Sequence, residues 1–189
     1  RFSILPAAAS LARLLDSGLR CPPPSSMGRV FDAAAGLLGI CTVMTFEAEA
    51  AIALEQAATR HGPVAPLAGG WRIDDEANAG MLRLDLLPLL GALADPAFIA
   101  QQGRGAALFH ATLGAALTDW LQRTARRHDI GTVAVGGGCL FNKLLASGLR
   151  RDCAQAGLRL LEPRALLPGD TAIAFGQAAV GRAILGGGG

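Results

Sequence analysis

Residues Val133–Leu145 read VAVGGGCLFNKLL. The apolar, β-branched run Ile130–Val135 predicts a buried strand, and it passes straight into Gly136-Gly137-Gly138. A helix is predicted over Asn142–Ala156, with Leu145, Leu149 and Cys153 turned inward. Leu158–Leu161 predicts a second strand. Upstream, Gly105–Arg127 carries one apolar stripe at helical spacing: Phe109, Leu113, Ala116, Leu117, Trp120 and Leu121. Downstream, Pro163 and Pro168 bound a loop ending at Asp170, and Thr171–Leu185 predicts a last helix whose Ala and Gly residues permit tight packing. From about Arg104 onward the order is therefore helix, strand, Gly loop, helix, strand, loop, helix, an α/β alternation with parallel strands. Ligands in such folds gather at the carboxyl ends of strands. Gly136–Asn142 and Asp170 both follow strands.

The first half reads as shorter elements. A helix around Ser10–Gly18 precedes a stiff Cys21-Pro22-Pro23-Pro24 loop, because Pro lacks an N–H and fixes φ. Ser25 and Ser26 stand where a helix N-terminus is capped, ahead of a helix over Gly28–Leu38 that Gly39 stops. Thr42–Phe46 is a short β candidate, and Glu47–Arg60 a helix ended by His61-Gly62-Pro63. Trp71–Asp74 and Met81–Asp85 flank a polar turn and predict a hairpin. Leu86–Leu93 begins another helix, which Pro96 restarts.

Composition bounds the function. With 189 residues, 51% of them hydrophobic, the chain can bury a core and is neither disordered nor fibrous. Tyr is absent, with 7 Phe and 2 Trp, so a base-stacking nucleic-acid surface is not expected. A net charge of +2 is too mild for an electrostatic DNA binder. Cys21, Cys41, Cys139 and Cys153 form no C-x-x-C pair and read as reduced, cytoplasmic thiols. The uncharged stretch Ala33–Phe46 is shorter than the ~18 residues a membrane span needs, so no membrane role is expected. Phe2–Ala12 is interrupted by Pro6 and has no basic segment before it beyond Arg1, so it reads as the middle of a longer sequence and not as a signal peptide.

Few residues could carry chemistry. Gly136-Gly137-Gly138 between a strand and a helix can let backbone N–H groups approach a phosphate, or can simply make a tight turn. Asn142, one helical step inside, can offer a donor and an acceptor to a base or ribose. Asp170, just before the last helix, can cap it or can bind a metal or a metal-bound phosphate. Asp32, near the start of its helix, can be a dipole-favoured surface acid or can hold two ribose hydroxyls, with Phe31 facing the core. Glu47 and Glu49 begin the next helix, where acids complement the dipole. His61, His110 and His128 lack ligand spacing, and His110 beside Phe109 reads as buried with a structural hydrogen bond. No H-E-x-x-H or G-x-S-x-G motif occurs, which removes support for protease and hydrolase classes.

Together these segments resemble a known family. Ser25–Ala33, SSMGRVFDA, resembles the S-S-x-G-R-L-F-D-A segment of HypF-type carbamoyltransferases, the hydrogenase maturation proteins. Phe46–Ala51 resembles their Y-E-G-x-A-A, Phe109-His110 an F-H in their long helix, Val133–Leu145 their V-A-L-S-G-G-V-F-Q-N-R-L-L, and Pro168–Ala178 their P-x-N-D-G-G-x-x-x-G-Q-A. The resemblance implies a helix-rich C-terminal portion of an ASKHA (sugar kinase/Hsp70-like) domain of TsaD type, with a few short parallel strands and a small hairpin. It would span residues 1–185, with 186–189 a flexible Gly tail. It implies that carbamoyl phosphate and ATP give carbamoyl-adenylate, and that the carbamoyl group passes to the C-terminal cysteine of a HypE-type acceptor, for the cyanide ligands of [NiFe] hydrogenase. Carried over by position, Asp32 holds the ribose, Glu47, Gly137, Gly138 and Asn142 contact the nucleotide, and Asp170 is a ligand of one divalent metal, Zn or Fe.

The sequence departs from the pattern at Ala48 and Thr171, where the family has Gly, at Gly136, where it has Ser, and at Phe141, where it has Gln. The family's paired H-x-x-x-H ligands are not in this sequence, so the implied metal site is incomplete and the chain by itself is expected not to transfer carbamoyl groups. The alternatives are another ASKHA carbamoyltransferase, acting on tRNA or a small-molecule hydroxyl, and a non-catalytic nucleotide-binding module. The S-S-x-G-R-x-F-D-A segment favours the HypF type, since TsaD proteins carry a Lys where Ala33 stands.

Overall fold

A computed structural model of the chain describes residues 7–19, 25–75 and 81–186. The Pro22–Pro24 loop, Cys21 and the last three glycines lie outside the described residues. Helix α1 (Ala8–Ser17) ends at Gly18 in the left-handed region and buries none of its side chains. Helix α2 (Met27–Leu38) follows, with Ser26 at the N-cap position, although its hydroxyl makes no capping bond. Gly39, at φ 69°, closes α2 as its position predicts. Helix α3 (Glu49–His61) starts at Glu49, two residues later than expected. Strands β1 (Arg72–Asp74) and β2 (Arg83–Asp85) form the expected hairpin, with Arg72 opposite Asp85 and Asp74 opposite Arg83 in ion pairs. Helices α4 (Leu87–Leu93) and α5 (Ala97–Ala100) lead into the long α6 (Gln102–His128).

The core forms where α2, α3, α4, α6 and α7 (Lys143–Gln155) converge. It is built from Phe31, Leu38, Leu54, Leu89, Phe109 and Leu113, with small residues between them. Ala50, Ala57 and Ala58 on α3 and Ala106 and Ala107 on α6 are all buried in this core, and α3 packs against α6, where side chains this small permit a close approach. Gly105 of α6 lies as close to α2: a Cβ there would fall 2.4 Å from Leu38 Cδ2. Two indole N–H groups seat the hairpin segment on α6. Trp71 donates to Asp119 at 3.0 Å, and Trp120 donates to the Leu82 carbonyl at 2.9 Å.

Strands β3 (Thr132–Ala134) and β4 (Arg159–Leu161) pair in parallel around α7, with Val133 opposite Leu160. This is the helix-rich α/β arrangement expected, but three details differ. The strand predicted as buried over Ile130–Val135 is not buried: Ile130, Thr132 and Ala134 are exposed, and Val133 and Val135 are only half-covered. A two-stranded sheet packed against helices on one side leaves its other face open. Thr42–Phe46 is an irregular loop and not a strand. It has no strand to pair with among the described residues, and the Thr45 N–H and hydroxyl both donate to the Glu49 carboxylate, folding the segment back on the start of α3. The last helix is present as a 3-10 turn at Asp170–Ala172 followed by α8 (Ile173–Gly186), yet none of α8 is buried. Its Ala and Gly residues therefore do not pack tightly among the described residues, and Phe175, Val180 and Ile184 are exposed. No helix among the described residues is long and apolar enough to cross a membrane.

Candidate functional site

Three segments of α2, α3 and the approach to α7 enclose a cleft of about 400 Å³, which is within the range of small-ligand sites. On α2, Phe31 is 2% exposed and points into the core. That leaves Asp32 on the outer side, where its carboxylate accepts from Arg29 at 3.1 Å. Ahead of α3, Glu47 lines the cleft and Ala48 sits in the left-handed region at φ 63°. This explains why the resembling family has Gly there: the strain is in the backbone, more than in crowding of a ligand. Between β3 and α7, a 3-10 turn at Gly138–Phe141 brings Gly138, Cys139 and Asn142 to the opposite wall. Asp32, Glu47, Gly138 and Asn142 are thus brought together.

Gly137 and Asp170 are placed elsewhere. Gly137 adopts φ 100°, which a side chain would oppose, and its N–H donates to the Pro168 carbonyl at 2.7 Å. It does not line the cleft; it ties the Gly loop to the segment that carries Asp170. Phe141 reinforces that tie, since a Cβ on Gly169 would lie 2.8 Å from the Phe141 ring. Asp170 begins the 3-10 turn, is exposed and does not cap a helix.

Asn142 is not one step inside α7 but is its N-cap, with extended backbone at φ −68° and ψ 111°. Its Oδ1 accepts from the Leu145 N–H at 2.9 Å, satisfying one of the free donors of the helix start. Its Nδ2 donates to His110 Nε2 at 3.0 Å, and His110 Nδ1–H donates to the Ala106 carbonyl at 2.8 Å. Burial pushes the His110 pKa below its ordinary value, against smaller upward pulls from the Ala106 carbonyl and the Glu55 charge. The imidazole is therefore neutral at pH 7, with its proton on Nδ1. Its ring stands edge-on to Phe31 and Phe109, at 5.8 Å and 5.3 Å.

Two cleft residues escaped the sequence reading. Glu55 of α3 accepts from the Lys143 N–H at 2.6 Å, capping α7 from across the cleft. No local signal predicts a contact between positions so far apart in the chain. Cys139 also lines the cleft, and burial pushes its thiol pKa up, helped by the Asp32 charge. It is a poor nucleophile at neutral pH.

The arrangement has a clear chemical character. Asp32, Glu47 and Glu55 supply acceptors that suit hydroxyl groups. Met44, Ala48, Ala51 and Ile52 supply an apolar surface that suits a flat ring. The same residues do not suit a metal. Among the described residues no three His, Cys, Asp or Glu side chains stand together to hold one, and Asp170 offers a single exposed carboxylate. The divalent metal implied by the resemblance does not fit the described residues.

Known proteins match this chain across most of its length. A family model described as the carbamoyltransferase, Kae1-like domain, second subdomain matches residues 4–177. A carbamoyltransferase HypF homolog of Cupriavidus necator is 44% identical over 91% of this chain and 44% of its own length. Carbamoyltransferase HypF of Rhizobium leguminosarum bv. viciae is 37% identical over 93% of this chain and 22% of its own. The chain thus spans under half the length of these relatives. Among solved structures, full-length HypF in a phosphate- and nucleotide-bound form matches with a TM-score of 0.79 at 24% identity, over 94% of this chain and 23% of that one. HypF of T. kodakarensis matches at 0.68 and 24% identity, over 95% and 23%. These two likenesses concern the fold.

Proposed function

The chain belongs to the HypF carbamoyltransferase family, and on that premise we propose that its cleft is the nucleotide-holding wall of a carbamoyl-transfer site. The observation that carries this reading is the meeting of Asp32, Glu47, Gly138 and Asn142, from separate parts of the sequence, around one cavity of nucleotide size. The nucleotide-bound relative of the same fold supports it. In this reading Asp32 accepts hydrogen bonds from the ribose diol. Asn142 donates from Nδ2, and the base lies on the apolar wall of Ala48, Ala51 and Ile52. Gly138 opens the 3-10 turn without a Cβ and leaves room for backbone N–H groups to face a phosphate. Gly137 acts through the loop it ties and not by direct contact.

The reaction we infer starts from carbamoyl-adenylate, formed from carbamoyl phosphate and ATP. The thiolate of a HypE-type C-terminal cysteine attacks the carbamoyl carbon. A C–S bond forms, the C–O bond to the phosphate breaks, and AMP leaves with the electron pair. The residues of this chain hold and orient the adenylate while the acceptor thiolate does the bond-making. Cys139 is not that nucleophile, because its thiol is held protonated. We read the location as cytoplasmic, in keeping with Cys41, Cys139 and Cys153 all being free thiols.

Calorimetric titration of ATP into the intact chain tests the reading. Asp32→Ala is expected to weaken binding by about 5- to 150-fold, the loss of ~1–3 kcal/mol in hydrogen bonds to a charged group. Unchanged affinity would overturn it. With one exposed carboxylate in place of a ligand set, the chain alone is expected to leave the acceptor unmodified in a carbamoylation assay. Measurable transfer would contradict that.

A further inference from the structure

We propose that His110 is a positioning residue for the cleft. It fixes the side-chain amide of Asn142 and so sets the donor that Asn142 presents to the nucleotide. The inference rests on the reading of the cleft given above.

An asparagine amide can turn over and exchange its oxygen for its NH2 group. At Asn142 neither end is free to do so. The N-cap requires an acceptor toward the Leu145 N–H, and His110 requires a donor toward its Nε2. The His110 tautomer is itself set from behind, because the Ala106 carbonyl takes the proton on Nδ1 and leaves Nε2 as a lone pair. A chain of fixed choices therefore runs from the backbone of α6 through the imidazole to the Asn142 amide and the first turn of α7. Asn142 is 7% exposed and lines the cleft. Among the described residues, no acceptor takes the second hydrogen of Nδ2, which leaves one donor of defined direction for a ligand.

The core does not need a polar ring at this place. His110 is 7% exposed and packed against Phe31 and Phe109, where an apolar side chain of similar size would serve. A buried imidazole carries a desolvation cost that only its hydrogen bonds offset. One of those bonds ends on a cleft residue, while α6 itself contributes nothing to the cleft lining. His110 thus acts on the cleft from outside it, through its bond to Asn142.

The experiment is a double-mutant cycle read by calorimetric AMP affinity in the intact chain. Asn142→Ser keeps an N-cap oxygen and removes the amide, and it is expected to weaken binding about tenfold, the loss of one good hydrogen bond. His110→Leu is expected to weaken it by a similar factor. The double variant should be no weaker than Asn142→Ser alone, because His110 acts only through Asn142. His110→Gln, whose amide oxygen can stand where Nε2 stands, should recover affinity to within about threefold of wild type. A structural role alone would not produce that rescue, since Gln and Leu both lose the ring.

If His110→Leu leaves affinity unchanged while Asn142→Ser weakens it, or if the two losses multiply, the positioning role is overturned and the cleft reading stands. If neither Asn142→Ser nor Asp32→Ala weakens binding, the cleft reading falls and this inference with it. Should His110→Leu not fold, ¹⁵N NMR of the wild-type imidazole replaces it. Its nitrogen signals should shift during AMP titration in step with the calorimetric isotherm, and constant signals would overturn the proposal.

Discussion

Asn142→Ala removes two hydrogen bonds at one buried point, and its cost can be worked from the geometry. The first loss is the cap. The Leu145 N–H, held at 2.9 Å by Oδ1, becomes a free helix donor, a change that costs ~1 kcal/mol. The second loss is larger. His110 Nε2 accepts from Nδ2 at 3.0 Å and sits in a side chain that is 7% exposed, so truncation leaves a buried acceptor without a donor, at ~1–3 kcal/mol. Together these give about 2–4 kcal/mol, against about 0.5 kcal/mol for an ordinary surface substitution. For a chain of this size, ~3 kcal/mol corresponds to a fall in Tm of about 6–12 °C. Urea denaturation followed by circular dichroism and by Trp fluorescence, with coincident transitions, would measure it. Two comparisons separate the terms. Asn142→Ser keeps a cap and should lose only the second part. His110→Leu in the Asn142→Ala background removes the stranded acceptor and should restore ~1 kcal/mol or more. A loss below about 0.5 kcal/mol for Asn142→Ala would refute the argument, because an N-cap bonded to a buried imidazole cannot be that cheap to remove.

Three further outcomes follow from other parts of the molecule. Gly105→Ala places a Cβ 2.4 Å from Leu38 Cδ2 at the α2–α6 contact, and should destabilise the chain by about 1–3 kcal/mol in the same denaturation assay, with no loss expected if the helices were loosely packed. Ala48→Gly relieves a left-handed residue at φ 63° and should raise stability by about 0.5–1 kcal/mol, whereas a decrease would mean the strain is not there. Burial alone would raise the Asp119 pKa, but hydrogen bonds from Arg123 and the Trp71 indole, with the Arg123 charge, outweigh it and hold the carboxyl below its ordinary 3.8. Below 3.8 the unfolded chain takes up the proton first, so this contribution is complete above that value and is lost as pH falls through the folded value. Asp119→Asn should accordingly lose less of its urea midpoint than wild type between about pH 5 and about pH 2.5, and equal losses would rule the effect out.

What could be read from the sequence was mostly local. The inward face of α7 follows from Leu145, Leu149 and Cys153, and all three are buried, because helical period alone decides which side they share. The hairpin follows from two alternating runs about a polar turn. Burial of β3 did not follow, since an apolar strand is buried only if another layer covers it, and one face of the β3–β4 sheet stays open. Thr42–Phe46 failed as a strand for a related reason: β propensity has no effect without a partner, and Glu49 supplied the Thr45 N–H with a closer acceptor. The candidate site was half legible. Asp32, Glu47, Gly138 and Asn142 carry motif signals, and they share the cleft. The contacts that orient them, Glu55 to the Lys143 N–H and His110 to Asn142, join α3 and α6 to the start of α7. Packing alone creates such pairs, and no spacing rule announces them.

The most direct measurement is a crystal structure of the chain grown with AMP. Nucleotide density is expected between α2, α3 and the start of α7, with the ribose hydroxyls on the Asp32 carboxylate and Asn142 Nδ2 within hydrogen-bond distance of the ligand. A second cavity of about 340 Å³ lies behind His110, lined by Thr59, Gly62, Ala107, Ser147 and Arg151. AMP bound there, or bound anywhere without contact to Asp32, would contradict the account.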